Sequence, residues 1–138
     1  MNAQQPSWIS SSLRQASFWV GLRQEIYIAF VNERPVKMNL VHSFIDQSLS
    51  AADDNTWANR IILNCAKITQ FCFGQDGQDG AQVHSYEELE EYDRKWRESR
   101  PVSFLPVSRR PPDQSRGEVF PEIIYLNHAV GEFQNSRK

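Results

Sequence analysis

The run FWVGLRQEIYIAFVN, from Phe18 to Asn32, is too apolar for an ordinary surface helix and yet carries an Arg-Gln-Glu triplet in its middle. Its apolar residues recur at helical spacing and form a first stripe, composed of Trp19, Leu22, Ile26, Ala29 and Phe30. A second stripe beside it is composed of Val20, Tyr27 and Val31. A helix that is apolar over most of its circumference has to be covered on several sides. We therefore expect this helix to be central to the fold.

The charges inside this run need partners. Arg23 and Glu25 can lie near a core only if each is paired, because an unpaired buried charge is costly. We expect both residues to organise the domain, together with Asp54, Trp57 and Arg60 further along the chain.

Helical patterns continue outward from the run. Residues 1–12 are polar and predicted to be disordered, and the first helix is predicted from about Leu13 to Asn32, capped by one of three serines, Ser10, Ser11 or Ser12. Residues 34–52 read as a connector that packs apolar side chains on the core, with a short helical turn over 43–47. A second helix is predicted from Asp53 or Asp54 to a left-handed Gly74, with Cys65 and Cys72 on its core stripe.

The second half of the chain alternates helices with loops. Residues 75–84 have the composition of a flexible loop, and Ser85 and Glu88 form a capping box for a third helix that Pro101 ends. This helix permits three ion pairs four residues apart, Glu90–Arg94, Glu91–Lys95 and Asp93–Arg97. A solvated amphipathic helix explains its basic end better than a phosphate or DNA patch does.

After the third helix, proline and glycine interrupt the pattern. Residues 101–119 form a Pro-rich, extended connector, and a fourth helix is predicted from Pro121 to about Phe133, before a polar tail at 134–138. Glu118 and Glu122 would then be charges at the start of that helix. The predicted fold is all-α, with several packed amphipathic helices and long irregular connectors.

Three blocks of sequence resemble one protein family. Trp19-x-x-Leu-Arg-Gln-Glu-Ile-Tyr27, the segment 53–63 (DDNTWANRIIL) and the segment 117–123 (GEVFPEI) occur in the order in which they occur in the regulatory region of fungal transcription factors. The DNA-binding part of those factors is a six-cysteine binuclear zinc cluster, and the nearest family is the Arca-like branch of the fungal-specific transcription factor domain. The residues that match it are Trp19, Arg23, Gln24, Glu25, Tyr27, Asp54, Trp57, Asn59, Arg60, Phe120 and Pro121.

The resemblance implies a nuclear chain that regulates transcription through protein contacts. Its partner would be the remainder of a transcription factor or another protein. The zinc cluster is absent, so this chain is expected to bind no DNA of its own. The family's helices continue past this C-terminus, so a fragment of a larger helical domain is expected. Two alternatives stay open: a free-standing helical interaction module, and a small-molecule binder or enzyme with a cryptic pocket.

Composition and charge limit the possible classes of protein. The chain has 138 residues, 40% of them hydrophobic, and a net charge of −2, which argues against a protein built to coat nucleic acid. The sequence has no segment long enough to span a bilayer and no signal peptide, so an intracellular location is expected, with the cytoplasm as the alternative to the nucleus.

No motif indicates catalysis or a cofactor. The two cysteines, Cys65 and Cys72, are expected to be buried, inert thiols about 10 Å apart along one helix, too far for a disulfide. A zinc site built from them and two of the scattered histidines is an open alternative, but the expectation is no metal. A calcium loop at 76–87 is disfavoured by Gln78 and Gly80 at ligand positions. We expect a protein that is not an enzyme.

The C-terminal region is expected to make the chain self-associate, bind a helical partner there, or be only marginally stable. Its apolar residues cover more than one face of the predicted fourth helix, which would leave unmatched apolar surface; they are Ile123, Ile124, Leu126, Ala129, Val130 and Phe133.

Overall fold

The computed structural model describes residues 7–74 and 84–125, with side chains from residue 11 onward. In this part of the chain, three helices precede one small antiparallel sheet: α1 (Ser7–Val31), α2 (Asp54–Phe73), α3 (Tyr86–Ser99), β1 (Ser108–Arg110) and β2 (Glu122–Ile124). Two short 3-10 turns, Val102–Phe104 and Gln114–Arg116, flank β1. The fold is therefore mainly helical, as expected, but not all-α.

Helix α1 is longer than its sequence pattern indicated. It begins at Ser7 and ends at Val31, so the serines expected to cap it lie inside it, and residues 7–12 are helical where disorder was predicted. No glycine or proline occurs between Ser7 and Gly21. Serine costs only about 0.5 kcal/mol relative to alanine in a helix. A run of serines therefore does not end a helix that has an apolar continuation.

One face of α1 packs against α2. Leu22 and Ala29 are fully buried there against three residues of α2, which are Ile62, Leu63 and Ala66. Trp19 and Ile26 pack against the edge of this cluster. The expectation that α1 is covered on several sides is met in part, since α2 and the connector 34–52 both pack against it, whereas Val20, Tyr27 and Val31 are exposed.

The connector 34–52 folds back along the two helices. Val36 is buried in the α1–α2 core, and four other members of the connector pack against core residues as predicted: Met38, Leu40, Ile45 and Leu49. Val41 is instead 77% exposed. The predicted helical turn over 43–47 is a simple turn, closed by a hydrogen bond of 3.2 Å from the Ile45 N–H to the His42 carbonyl.

Helix α2 begins where the sequence predicted. Asp53 is its N-cap and accepts a hydrogen bond of 2.8 Å from the Thr56 N–H. At the other end Gly74 has φ −71°, so it does not have the left-handed conformation predicted for it. It is nonetheless confined, because a Cβ at this position would collide with the Gln70 carbonyl oxygen. The buried face of α2 also differs from the prediction, since Cys65 is half-buried and Cys72 exposed.

Helix α3 completes a second cluster with α2. Its capping box is formed as predicted, with Ser85 and Glu88 bonding each other's backbone N–H groups. Trp96 is buried against Trp57 and Phe104, and its indole Nε1 donates a hydrogen bond of 3.0 Å to the Trp57 carbonyl. Phe104 reaches this cluster from the 3-10 turn after Pro101.

Two of the three ion pairs predicted for α3 form, Glu91–Lys95 and Asp93–Arg97. Arg94 pairs with Glu91 and Glu98 and not with Glu90. Three of the basic side chains that were considered as an anion patch are thus paired with carboxylates of the same helix: Arg94, Lys95 and Arg97.

The predicted fourth helix is wrong over residues 122–124. These residues form β2, which pairs with β1 in the register Ser108↔Ile124, Arg109↔Ile123 and Arg110↔Glu122. The β-branched Ile123 and Ile124 suit a strand, and β1 supplies the backbone partners that a sequence pattern does not reveal. Residues 126–133 and the polar tail lie outside the described part, as does the loop 75–83.

The lengths and hydropathies of the helices bear on whether they could span a membrane. No helix in the described part of the chain is long and apolar enough to cross a bilayer.

Candidate functional site

Arg60 is the most constrained polar residue of the described structure. It lies in the second helical turn of α2, and its side chain is fully buried. Nη1 donates to the Ser50 carbonyl at 2.9 Å, and Nη2 donates to Asp46 Oδ2 at 2.8 Å and Ser48 Oγ at 3.4 Å. The guanidinium carbon lies 4.7 Å from the ring centroid of Trp57, one helical turn earlier. These five residues form what we term the Arg60 cluster.

The Arg60 cluster ties the connector to α2. Asp46 also accepts a hydrogen bond of 2.8 Å from the Ser48 N–H, which folds residues 46–48 into a turn facing Arg60. Hydrogen bonds from the Ser48 side chain, and then from Arg60, lower the pKa of Asp46 to about 2. A lowered carboxyl pKa means that the folded state favours the ionised form of Asp46.

This pKa predicts how stability depends on pH. Because the folded-state pKa of Asp46 lies below its unfolded value of about 3.9, the stabilisation is complete above that value and is lost as the pH falls towards about 2. We expect Asp46→Asn to be less stable than the wild type at pH 7, and the difference to shrink as the pH falls from about 4 to about 2. Denaturant melts of both proteins across this range measure it. A difference that stays constant with pH would contradict the assignment.

A small cleft adjoins the Arg60 cluster. It is lined by Gln47, Arg60, Leu63, Asn64, Lys67 and Tyr92, and it leaves about 10 Å³ for the centre of a water molecule. That is room for about one water. Arg60 Nε and the Tyr92 hydroxyl are buried without a protein hydrogen-bond partner, and burial raises the pKa of Tyr92. The cleft has the size and polarity of a site for one bridging water, and it is too small for a metabolite.

Two polar contacts provide the partners expected for the charges of α1. Arg23 donates from Nη2 to Asn59 Oδ1 at 3.1 Å, across the α1–α2 interface. Glu25 pairs with Arg34 at 2.6 Å and accepts a hydrogen bond of 2.9 Å from the Lys37 N–H. These contacts, with the Arg34 side chain first, lower the pKa of Glu25. Glu25 therefore fixes the turn that follows α1, while Arg23 joins the two helices.

The remaining residues of the second block organise the N-terminal part of α2. Asp54 accepts a hydrogen bond of 2.8 Å from the Ser103 hydroxyl, which anchors the 3-10 turn after α3 to the start of α2. Trp57 lies in the second core cluster. Asn59 is buried between α1 and α2. The structure thus brings together Trp19, Arg23 and Asn59 on one side of α2, and Trp57 with Arg60 on another.

Besides Glu25 and Asp54, four residues matched to the family lie outside both groups. Gln24 and Tyr27 point to solvent from α1, and Phe120 is 75% exposed beside the half-buried Pro121. The third block lies in the hairpin, where Glu118 and Glu122 both pair with Arg110 of β1. The two glutamates are therefore cross-strand charges and not charges at a helix start.

The side of α1 away from α2 is apolar and exposed. We term it the outer face and define it by Leu13, Val20, Tyr27 and Val31; Phe30 is also exposed, but its ring contacts Phe73 of α2. Tyr27 and Val31, one helical turn apart, are 70% and 60% exposed. A row of exposed apolar side chains along one side of a helix, interrupted here by Ser17 and Gln24, is a candidate contact site for a protein. It is the feature of the described structure that best fits a binding function.

The described residues offer little for metal or thiol chemistry. No group of three or more His, Cys, Asp or Glu side chains in the described ranges is placed to hold a metal ion. Burial, and then the charge of Asp93, raises the pKa of the Cys65 thiol, which makes it a poor nucleophile.

Several residues that complete these sites were missed by the sequence patterns. Asp46, Ser48 and Ser50 sit in a connector without periodicity, and Phe104 sits in a Pro-rich segment. The Asp-x-Ser order at 46–48 is a turn signal that favours a local loop. It does not reveal that Arg60 completes the turn from α2.

Comparisons of the chain with family models, with curated proteins and with solved structures returned no match.

Proposed function

We propose that this chain is a relative or a fragment of the regulatory region of a fungal zinc cluster transcription factor, and that it acts through protein contacts. It would work in the nucleus, without a DNA-reading part of its own and without catalysis. The outer face of α1 is the observation that carries the protein-contact role, because it exposes large apolar side chains on a helix whose opposite side is already packed.

The packing of the family-like segments supports the same proposal. The first and second blocks lie against each other through Leu22 and the Arg23–Asn59 hydrogen bond. Residues that match the family by sequence are therefore neighbours in space, as parts of one functional unit would be. The helix that they hold in place is the one that presents the outer face.

The Arg60 cluster supports a rigid presentation of this surface. It fixes the connector against α2 through a buried guanidinium with hydrogen bonds to two different chain positions, Asp46 and Ser50. A pre-organised scaffold lowers the conformational entropy lost when a partner binds. The cluster is in this proposal a positioning element and not a ligand site.

A reporter experiment tests the proposal. The chain is fused to a heterologous DNA-binding domain, and output is measured from a promoter that carries the matching DNA site. We expect the fusion to change output severalfold relative to the DNA-binding domain alone. We expect the double substitution Val20→Glu/Tyr27→Glu to remove that change, because two charges on the outer face prevent apolar contact.

The matched control is Val41→Glu/Val102→Glu. It adds the same charge at two valines that are 77% and 80% exposed and lie outside α1. It should behave like the unsubstituted fusion, with protein levels equalised by immunoblot and folding checked by circular dichroism. A fusion that gives the output of the DNA-binding domain alone would refute the proposed function.

A further inference from the structure

We propose that the outer face of α1 binds the same face of a second copy of this chain, as an antiparallel helix pair about a two-fold axis near Val20. The inference names the partner for the protein-contact role and rests on the function proposed above. It is carried by the spacing of the exposed residues, by the unpacked start of α1, and by the area that the face exposes.

The exposed positions on α1 follow the spacing of a coiled-coil seam. Its positions alternate steps of four and three residues and are Leu13, Ser17, Val20, Gln24, Tyr27 and Val31. All are exposed. Leu22 and Ala29, which pack on α2, lie on the opposite side of the helix. One side of α1 thus belongs to the core of the monomer, and the other has the pattern of a helix–helix contact.

The start of α1 lacks cover within the described structure. Every residue from 12 to 17 is exposed, so these nearly two turns of the helix, which we term its arm, carry little packing within the described structure. Short helices without tertiary packing are marginal in water. A second chain that lies against this arm supplies the missing packing. The opposite end of the outer face, around Tyr27 and Val31, is apolar and exposed, so burial against a second chain would stabilise it as well.

An antiparallel arrangement meets both needs at once. With the axis near Val20, Leu13 of one copy lies opposite Tyr27 of the other, and Ser17 lies opposite Gln24. Each arm then covers the apolar end of its partner, and the two polar seam positions meet each other and can hydrogen-bond. The helix dipoles also oppose, which is the favourable orientation. A parallel pair would instead place arm on arm and leave Ser17 against Ser17.

The exposed area fits a small dimer. The six seam residues expose on the order of 600 Å² per copy, given that a fully buried aromatic side chain contributes about 150–250 Å². Specific interfaces bury about 800 Å² per partner, and weaker ones bury less. We therefore expect a two-fold dimer of micromolar affinity, with each copy contributing the same surface.

Sedimentation of the full chain at micromolar concentrations tests the association. We expect a reversible monomer–dimer equilibrium, loss of the dimer in Val20→Glu/Tyr27→Glu, and an unchanged dimer in Val41→Glu/Val102→Glu. A wild-type chain that stays monomeric at high micromolar concentration would overturn the proposal. If its effect in the reporter experiment still required the outer face, a different protein would be the partner and the proposed function would stand.

Disulfide trapping tests the orientation in a Cys65→Ser/Cys72→Ser background. The antiparallel pair predicts rapid oxidation to a mixed dimer when Leu13→Cys and Tyr27→Cys chains are combined, and little crosslinking by either chain alone. The parallel pair predicts the reverse, because each cysteine would then face its own copy. Efficient crosslinking of Leu13→Cys alone would refute the antiparallel geometry. Val41→Cys, at an exposed site outside α1, measures the background of random collisions.

Discussion

Replacing Trp57 with alanine is expected to lower the free energy of unfolding by about 3–5 kcal/mol. The residue is 3% exposed and lies where three parts of the chain meet. Its ring packs edge-on against Trp96, its carbonyl accepts the Trp96 indole N–H, and the Arg60 guanidinium lies over its face. Truncation removes the apolar contacts and opens a cavity that neighbours on two helices cannot fill.

A denaturant melt followed by far-UV circular dichroism measures this loss. Domains of this size have only about 5–15 kcal/mol of stability in total, so the alanine variant should unfold at much lower denaturant concentration. Trp57→Phe keeps an aromatic ring and should retain most of the stability. Trp19→Ala, at a half-buried position on α1, should cost less than Trp57→Ala. A loss below about 1 kcal/mol for Trp57→Ala would show that the second cluster contributes little.

Removing the buried cation of the Arg60 cluster should have the second-largest effect. Arg60→Ala is expected to cost about 3 kcal/mol, because it leaves the Ser50 carbonyl without its donor and removes packing above Trp57. Asp46 is 49% exposed and can be hydrated after the change, so its own loss is small by comparison. The connector 46–50 should detach from α2.

Two measurements separate this loss from general destabilisation. Hydrogen exchange should accelerate at the Ser48 N–H, which depends on the turn that Arg60 holds. Arg60→Lys should recover only part of the stability, because one ammonium cannot serve both the Ser50 carbonyl and the Asp46 carboxylate. Arg97→Ala is the control: it removes an exposed arginine of α3 with an ion pair to Asp93, and little change is expected. Equal losses for Arg60→Ala and Arg97→Ala would mean that burial of Arg60 is unimportant.

Local sequence signals located the helices but not all of their neighbours. The Asp53 cap and the Ser85–Glu88 box could be predicted because capping depends on residues within one helical turn. The strand β2 could not be predicted in this way, since its partner β1 is more than ten residues away in the chain. The order Pro121-Glu122-Ile123-Ile124 is compatible with a helix start and with a strand, and only the pairing with β1 distinguishes the two.

The candidate sites also depend partly on local sequence and partly on contacts between distant parts of the chain. The need of Arg23 and Glu25 for partners follows from their position in an apolar run, but the partners, Asn59 and Arg34, are read from the structure. Arg60 was predicted to organise the domain because it lies in a block that resembles the family. Its burial and its contact with Asp46 came from the way the connector folds over α2.

Local sequence patterns predicted that α1, α2 and α3 form and located the N-caps of α2 and α3, because helix spacing, caps and ion pairs act over three or four residues. Which side of α1 forms the core is visible only in the folded protein. Both sides of that helix are apolar in sequence, and either stripe could pack on α2. Leu22 and Ala29 face Ile62, Leu63 and Ala66, whereas Tyr27 and Val31 remain exposed. Burial is a property of which surfaces meet, and the spacing of residues along one helix does not contain it.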